Sequence, residues 1–112
     1  MAKVNKRPIV IRDLIEQATY IAQDNLEAAE SFLVAAEETF QLLGRMTGIG
    51  KLCRFSIPQL LDIRQCPVKG FKNYLIFYRA TDSEVEILRV LHGARYLKAI
   101  LEEDLTEDSE GE

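Results

Sequence analysis

The chain has 112 residues, 47% of them hydrophobic and 29% charged, which suffices for one domain with its own core and not for two. No run of eighteen apolar residues exists to span a membrane and no leader pattern opens the chain, so a cytoplasmic address is expected. Two cysteines thirteen positions apart and a single histidine are too few for a zinc site, and Cys53 and Cys66 are expected to be free thiols in a reducing compartment. The formal net charge of −4 conceals an asymmetry. Residues 102–112 carry seven acids and no base, so residues 1–101 hold all 14 bases against eleven acids. Between Arg45 and Lys98, ten bases face four acids. The basic half is either a solvated mixed-charge surface or a face for something anionic.

Residues 2–7, with Val4 among Lys3, Lys6 and Arg7, read as a short edge strand whose lysines discourage edge pairing. Pro8 suits the first turn of a helix, and Ile11, Leu14, Ile15, Ala18, Ile21 and Ala22 then recur as one apolar helical stripe. Asp24 or Asn25 can cap a second helix from about Leu26 to Arg45, with Phe32, Ala36, Phe40 and Leu43 three or four apart. So short a link makes the two an antiparallel hairpin. Gly44, Gly48 and Gly50 mark a loop. Leu60–Arg64 reads as a strand stopped near Pro67, and Tyr74–Arg79 and Val85–Leu91 as a strand pair around Thr81-Asp82-Ser83.

Both of the last two strands are apolar on two sides. One face packs on the hairpin; the other calls for a final helix, about Arg95 to Glu102, or for a partner. The order β-α-α-β-β-β-α implies a two-layer α+β domain over residues 1–103, with an antiparallel sheet of three to four strands. Residues 104–112 are too acidic to pack and are expected to form a disordered tail.

No catalytic constellation stands out. Gly48-Ile49-Gly50-Lys51 lacks the rest of a P-loop or dinucleotide fingerprint, and Glu37 and Glu38 point to different helix faces. No metal site and no cofactor is expected. His92 either hydrogen-bonds backbone where the last strand ends, or serves as a polar contact or proton carrier at a binding rim. Arg64, Arg79, Arg89 and Arg95 lie among apolar strand residues. They pair internally with Asp62, Glu84 or Glu86, or they cluster for phosphate or a carboxylate-rich partner.

The segments Gly70–Arg79 and Val85–Arg95 resemble the C-terminal strands of ParE-type toxins of the RelE/ParE superfamily. Asp13-Leu14, Tyr20-Ile21-Ala22 and Ala28-Ala29 with Phe32 are similar to that family's helical hairpin, and Gly48-Ile49-Gly50 to its following loop, with Thr47 where proline is more usual. Together these cover about residues 2–101. The resemblance implies the toxin of a type II toxin–antitoxin pair, inhibiting DNA gyrase without chemistry of its own and forming a hetero-oligomer with a cognate antitoxin. It places target contacts at Arg79, Arg89, His92, Arg95 and Tyr96, and antitoxin contacts at Tyr74, Ile76, Tyr78, Leu88 and Val90. The alternative in the superfamily is a ribosome-dependent mRNA endoribonuclease, for which Lys72, His92, Arg95 and Tyr96 would be the catalytic set.

The tail is not part of that pattern. As a screen over the basic half, its removal at residue 104 raises nonspecific nucleic-acid binding at low salt; a gel-shift series showing unchanged binding ends the idea.

Overall fold

A computed structural model describes residues 2–55, 58–93 and 99–103. Strand β1 (Lys3–Lys6) leads into helix α1 (Pro8–Ala22) and helix α2 (Leu26–Arg45). Strands β2 (Lys51–Leu52), β3 (Arg64–Val68), β4 (Phe71–Ala80) and β5 (Glu84–His92) follow, with a 3-10 turn at Pro58–Leu60 before β3. Residues 99–103 are helical. The five strands form one sheet in the order β1-β5-β4-β3-β2. This is the expected α+β domain with a wider sheet. It is also mixed, because β1 lies parallel to β5 while every other pair is antiparallel.

Pro8 stands in the first turn of α1, where no intrahelical N–H is needed. Asn25 caps α2 by accepting the Ala28 N–H at 3.0 Å, and Glu27 in the first turn and Arg45 in the last suit the helix dipole. On α2, Ala29, Phe32, Ala36, Phe40 and Leu43 are buried as their spacing requires.

The α1 stripe is turned by one position from the expected one. Val10, Asp13 and Ala18 are buried and Leu14, Gln17 and Ile21 half-buried, whereas Ile11 and Ile15 are exposed at 46% and 59%. The inward stripe contains two polar residues that a count of apolar residues passes over.

Two apolar clusters sandwich the sheet. Under the hairpin lie Val10, Phe32, Ala36, Phe40, Leu43, Ile76, Tyr78, Val85, Ile87 and Val90. On the opposite face Phe77, Leu88 and Leu91 are covered by Leu60 and Ile63, by Cys53 and Phe55, and by Ile100 and Leu101 of the final helical turn. The second face is therefore sealed by the chain itself.

Strand β5 serves both clusters through a bulge. Phe77 is level with Arg89 and Tyr78 with Ile87, so β5 holds one residue more than β4 at this point. The extra residue shifts the two-residue alternation, placing Ile87 and Val90 under the hairpin and Leu88 and Leu91 on the far face.

The third sequence-predicted strand is displaced. Leu60 and Ile63 are fully buried, but as a cover over the sheet, and pairing begins only at Arg64. Pro67 lies inside β3 opposite Leu75 instead of ending it. This is tolerated because β2 pairs only with Gln65 and Arg64, leaving Pro67 on an open edge where a missing N–H costs no ladder bond. Two-residue β2 is too short for any periodicity to announce it.

The loop between α2 and β2 is clamped from the sheet. The Tyr78 hydroxyl accepts the Gly50 N–H and donates to the Thr47 carbonyl, both at 2.8 Å, and Arg64 donates to the Gly50 carbonyl at 2.6 Å. A Cβ at Gly50 would lie 2.6 Å from the Tyr78 hydroxyl and 2.7 Å from the Gln65 carbonyl oxygen, so the close approach requires glycine.

Tyr78→Phe is expected to cost about 1–2 kcal/mol by stranding the Gly50 N–H and the Thr47 carbonyl. Gly50→Ala costs more, because backbone must move. Urea denaturation of both variants measures this, and an unchanged midpoint for Tyr78→Phe would dismiss the clamp.

Candidate functional site

Strand β1 stops pairing at Lys6, level with Ile87, where Pro8 turns the chain into α1. Strand β5 runs on to His92, and α1 takes over as its neighbour. The Asp13 carboxylate accepts the Val90 N–H at 3.1 Å, and the Gln17 amide donates to the Val90 carbonyl at 2.6 Å. Two helix side chains thus occupy the place of one strand residue. Asp13 also receives Arg89 in a two-pronged pair, Nε to Oδ2 at 2.8 Å and the terminal nitrogen to Oδ1 at 2.9 Å. The Asp13 side chain is 5% exposed and that of Arg89 12%. A carboxylate so deep is stable only because three N–H donors meet it.

Just past this seam, α1 and the open ends of β4 and β5 enclose a pocket of about 360 Å³ lined by Glu16, Gln17, Tyr20, Tyr74 and His92. Glu16 and Tyr20 are one helical turn apart and Tyr74 is level with His92. The Tyr74 ring is packed edge-on against His92 with centroids at 4.9 Å, and tilted against Phe32 at 4.9 Å. Burial, and then the neighbouring Tyr20, push the Tyr74 hydroxyl above the ordinary tyrosine pKa, so it is a neutral donor and acceptor at physiological pH. Gln17 uses its nitrogen on Val90, while its buried Oε1 has no hydrogen-bond partner among the described residues.

A second depression, of about 440 Å³, lies towards the β2–β3 side of the sheet between Ile49, Gly50, Lys51, Gln65, Cys66, Pro67, Lys72 and Leu75. It carries two lysines and no acid. Burial pushes the Cys53 thiol up to about 11 and raises Cys66 as well, which favours the neutral thiol at both. Among the described residues, no group of three or more His, Cys, Asp or Glu side chains is placed to hold a metal, and no helix is long and apolar enough to cross a membrane.

The residues singled out from sequence fall into different places. Arg79 donates to Asp62 at 3.0 Å and to the Gln59 carbonyl at 2.7 Å, tying β4 to the segment that covers the far face. Arg89 is committed to Asp13. Of the two readings left open for these arginines, internal pairing describes both, with Asp13 a partner that sequence spacing did not suggest. Ile76, Tyr78 and Val90 are fully buried under the hairpin and Leu88 is 1% exposed on the far face, so these four offer no outer surface; Tyr74 is only half-buried. His92 is at the α1 pocket and Lys72 at the basic depression, in separate clefts. Arg95 and Tyr96 lie outside the described residues, as does the 104–112 tail.

What sequence reasoning missed is the α1 contribution: Asp13, Glu16, Gln17 and Tyr20. The available signal was an aspartate between Val10 and Leu14 at inward spacing, with an arginine in an apolar strand to answer it.

A hairpin of helices on a small mixed sheet, with a loop clamped after α2, defines a two-layer α+β fold. Residues 5–97 match the model of the ParE toxin of type II toxin–antitoxin systems, parDE, and the chain belongs to that family. No curated protein matches the chain significantly. Among solved structures it is similar to a chain of the chromosomal ParDE TA system from P. aeruginosa, at 17% identity and a TM-score of 0.64, covering 82% of this chain and 96% of that one.

Asp13→Ala is expected to destabilise the fold by about 3–5 kcal/mol, since it takes the two-pronged carboxylate away from a buried guanidinium and the acceptor away from the Val90 N–H. Replacing both ends, Asp13→Leu with Arg89→Met, recovers part of that loss. Chemical denaturation of the three variants measures the ordering, and a double variant as unstable as Asp13→Ala contradicts it.

Proposed function

We propose that the chain is a toxin acting as a protein ligand of DNA gyrase in the cytoplasm, blocking replication, and that a cognate antitoxin silences it in a hetero-oligomer. The match of residues 5–97 to the ParE toxin family carries this reading. Of the set named for a ribonuclease, the two described members, His92 and Lys72, line different clefts, which supports an inhibitor.

The antitoxin's seat is moved from the sheet to the hairpin. Ile11, Ile15 and Tyr20 on α1, with Leu26, Leu33 and Val34 on α2, are exposed large apolar residues. Scattered singly such residues are ordinary, but six on one short helical hairpin fit an amphipathic tail laid over it. Gyrase is then left the end of the sheet near His92 and the basic depression at Lys51 and Lys72.

With purified gyrase, the chain is expected to reduce supercoiling and to accumulate cleaved DNA, and antitoxin abolishes both. Ile15→Glu and Leu33→Glu should each weaken antitoxin binding by about tenfold without unfolding the chain, since two exposed positions lose apolar contact and gain charge. Unaffected gyrase alongside codon-specific mRNA cleavage would overturn the reading.

A further inference from the structure

The pocket beside the α1–β5 seam gathers hydrogen-bond acceptors around aromatic rings. Among the described residues that line it, Glu16 brings a carboxylate, Gln17 an amide, Tyr20 and Tyr74 two aromatic rings with hydroxyls, and His92 an imidazole. This sits in a domain whose residues up to 101 carry more bases than acids. The nearby cation, Arg89, is turned away and neutralised by Asp13.

We propose that this pocket is the seat of one arginine side chain of the antitoxin. The identification of that partner rests on the toxin reading above; the chemistry of the seat rests on the pocket alone. A guanidinium is planar, donates in several directions and stacks on aromatic faces, whereas an ammonium is a compact, strongly hydrated charge. Tyr20 is 67% exposed and stands at the mouth, available to cover an entering plane. Tyr74 is braced by Phe32 and His92 and forms a fixed wall. The carboxylate of Glu16, one helical turn from Tyr20, is the counter-charge.

The pocket is continuous with the side of α1 that carries Tyr20 outward, so a tail lying on the hairpin can reach it without a change of fold. Its volume of about 360 Å³ suits one long side chain rather than a segment of polypeptide.

The test uses the full chain and N-acetyl-arginine methylamide as probe, followed by amide NMR. Shifts are expected at Gln17, Tyr20, Tyr74 and His92. The citrulline isostere, which keeps the shape and loses the charge, binds at least about fivefold more weakly, and the lysine analogue falls between them. Glu16→Gln and Tyr20→Ala, both at exposed positions, each weaken the arginine probe about threefold. Citrulline or lysine binding as well as arginine, or shifts confined to other residues, overturns the assignment of a guanidinium seat and leaves the gyrase reading untouched. Self-association of the chain that the probe abolishes, seen by sedimentation, would give the seat to a second copy and overturn the antitoxin as its source. Loss of gyrase inhibition with probe binding intact is the separate failure of the toxin reading.

Discussion

The structure depends on how strand β5 is held after β1 leaves it. A strand that outruns its neighbour exposes backbone donors and acceptors that must be satisfied or left to water. Here β1 ends because the chain turns at Pro8 into α1, and α1 then satisfies β5 by side chain: Asp13 takes the Val90 N–H and Gln17 supplies its carbonyl. This fixes the rotation of α1 about its own axis. It explains why the inward stripe runs through Val10, Asp13, Gln17 and Ala18 while Ile11 and Ile15 face out. A helix rotated to bury both isoleucines would have taken the Asp13 carboxylate away from both the Val90 N–H and Arg89. The cost of an unpaired buried charge, several kcal/mol, exceeds what burying the remaining exposed part of two isoleucines returns.

The β5 bulge belongs to the same arrangement. Without the extra residue opposite β4, strict alternation would place Ile87 and Leu91 on one face and Leu88 and Val90 on the other. With it, each cluster receives a properly spaced pair, and Arg89 falls where the strand changes phase, at the seam with α1. A strand apolar on two sides is thus accommodated within one chain. The segment carrying Leu60 and Ile63 covers the far face, and Arg79 fastens that cover through Asp62 and the Gln59 carbonyl.

Legibility in the sequence followed the range of the interactions. Helices α1 and α2 and strands β4 and β5 were readable because their signals are local: Pro8 at a helix start, an asparagine cap, alanine and phenylalanine at helical spacing, and aromatic and β-branched runs. Strand β2 was not, since two residues have no period. Strand β3 was misplaced because Leu60 and Ile63 are apolar for a tertiary reason, as a lid, and because Pro67 reads as a stop unless the edge is known to be open there. The need to cover the second sheet face was legible, but whether the chain or a partner covers it was not, because the covering residues Leu60, Ile63, Ile100 and Leu101 meet that face only through tertiary packing. The site was the least legible part. Asp13 and Arg89 are 76 positions apart, and no spacing rule joins them. The pocket is assembled from α1, β4 and β5, of which sequence drew attention to His92 and Tyr74 but not to Glu16 or Gln17.

This division has a consequence for recognition. Arginines in apolar strands look like binding residues because they are conspicuous, yet a guanidinium beside a sheet core must be answered internally before the chain can fold at all. Arg64, Arg79 and Arg89 each hold a loop, a cover or a helix, and are thereby removed from any interface that needs them loose. The surfaces that the fold does not consume are the outward isoleucines and leucines of the hairpin, the depression with Lys51 and Lys72, and the acceptor-rich pocket where the Asp13–Gln17 seam runs out. Their chemistry differs from place to place: apolar, basic and acceptor-rich. A domain of this size thus keeps surfaces of unlike chemistry apart from the residues that hold it folded.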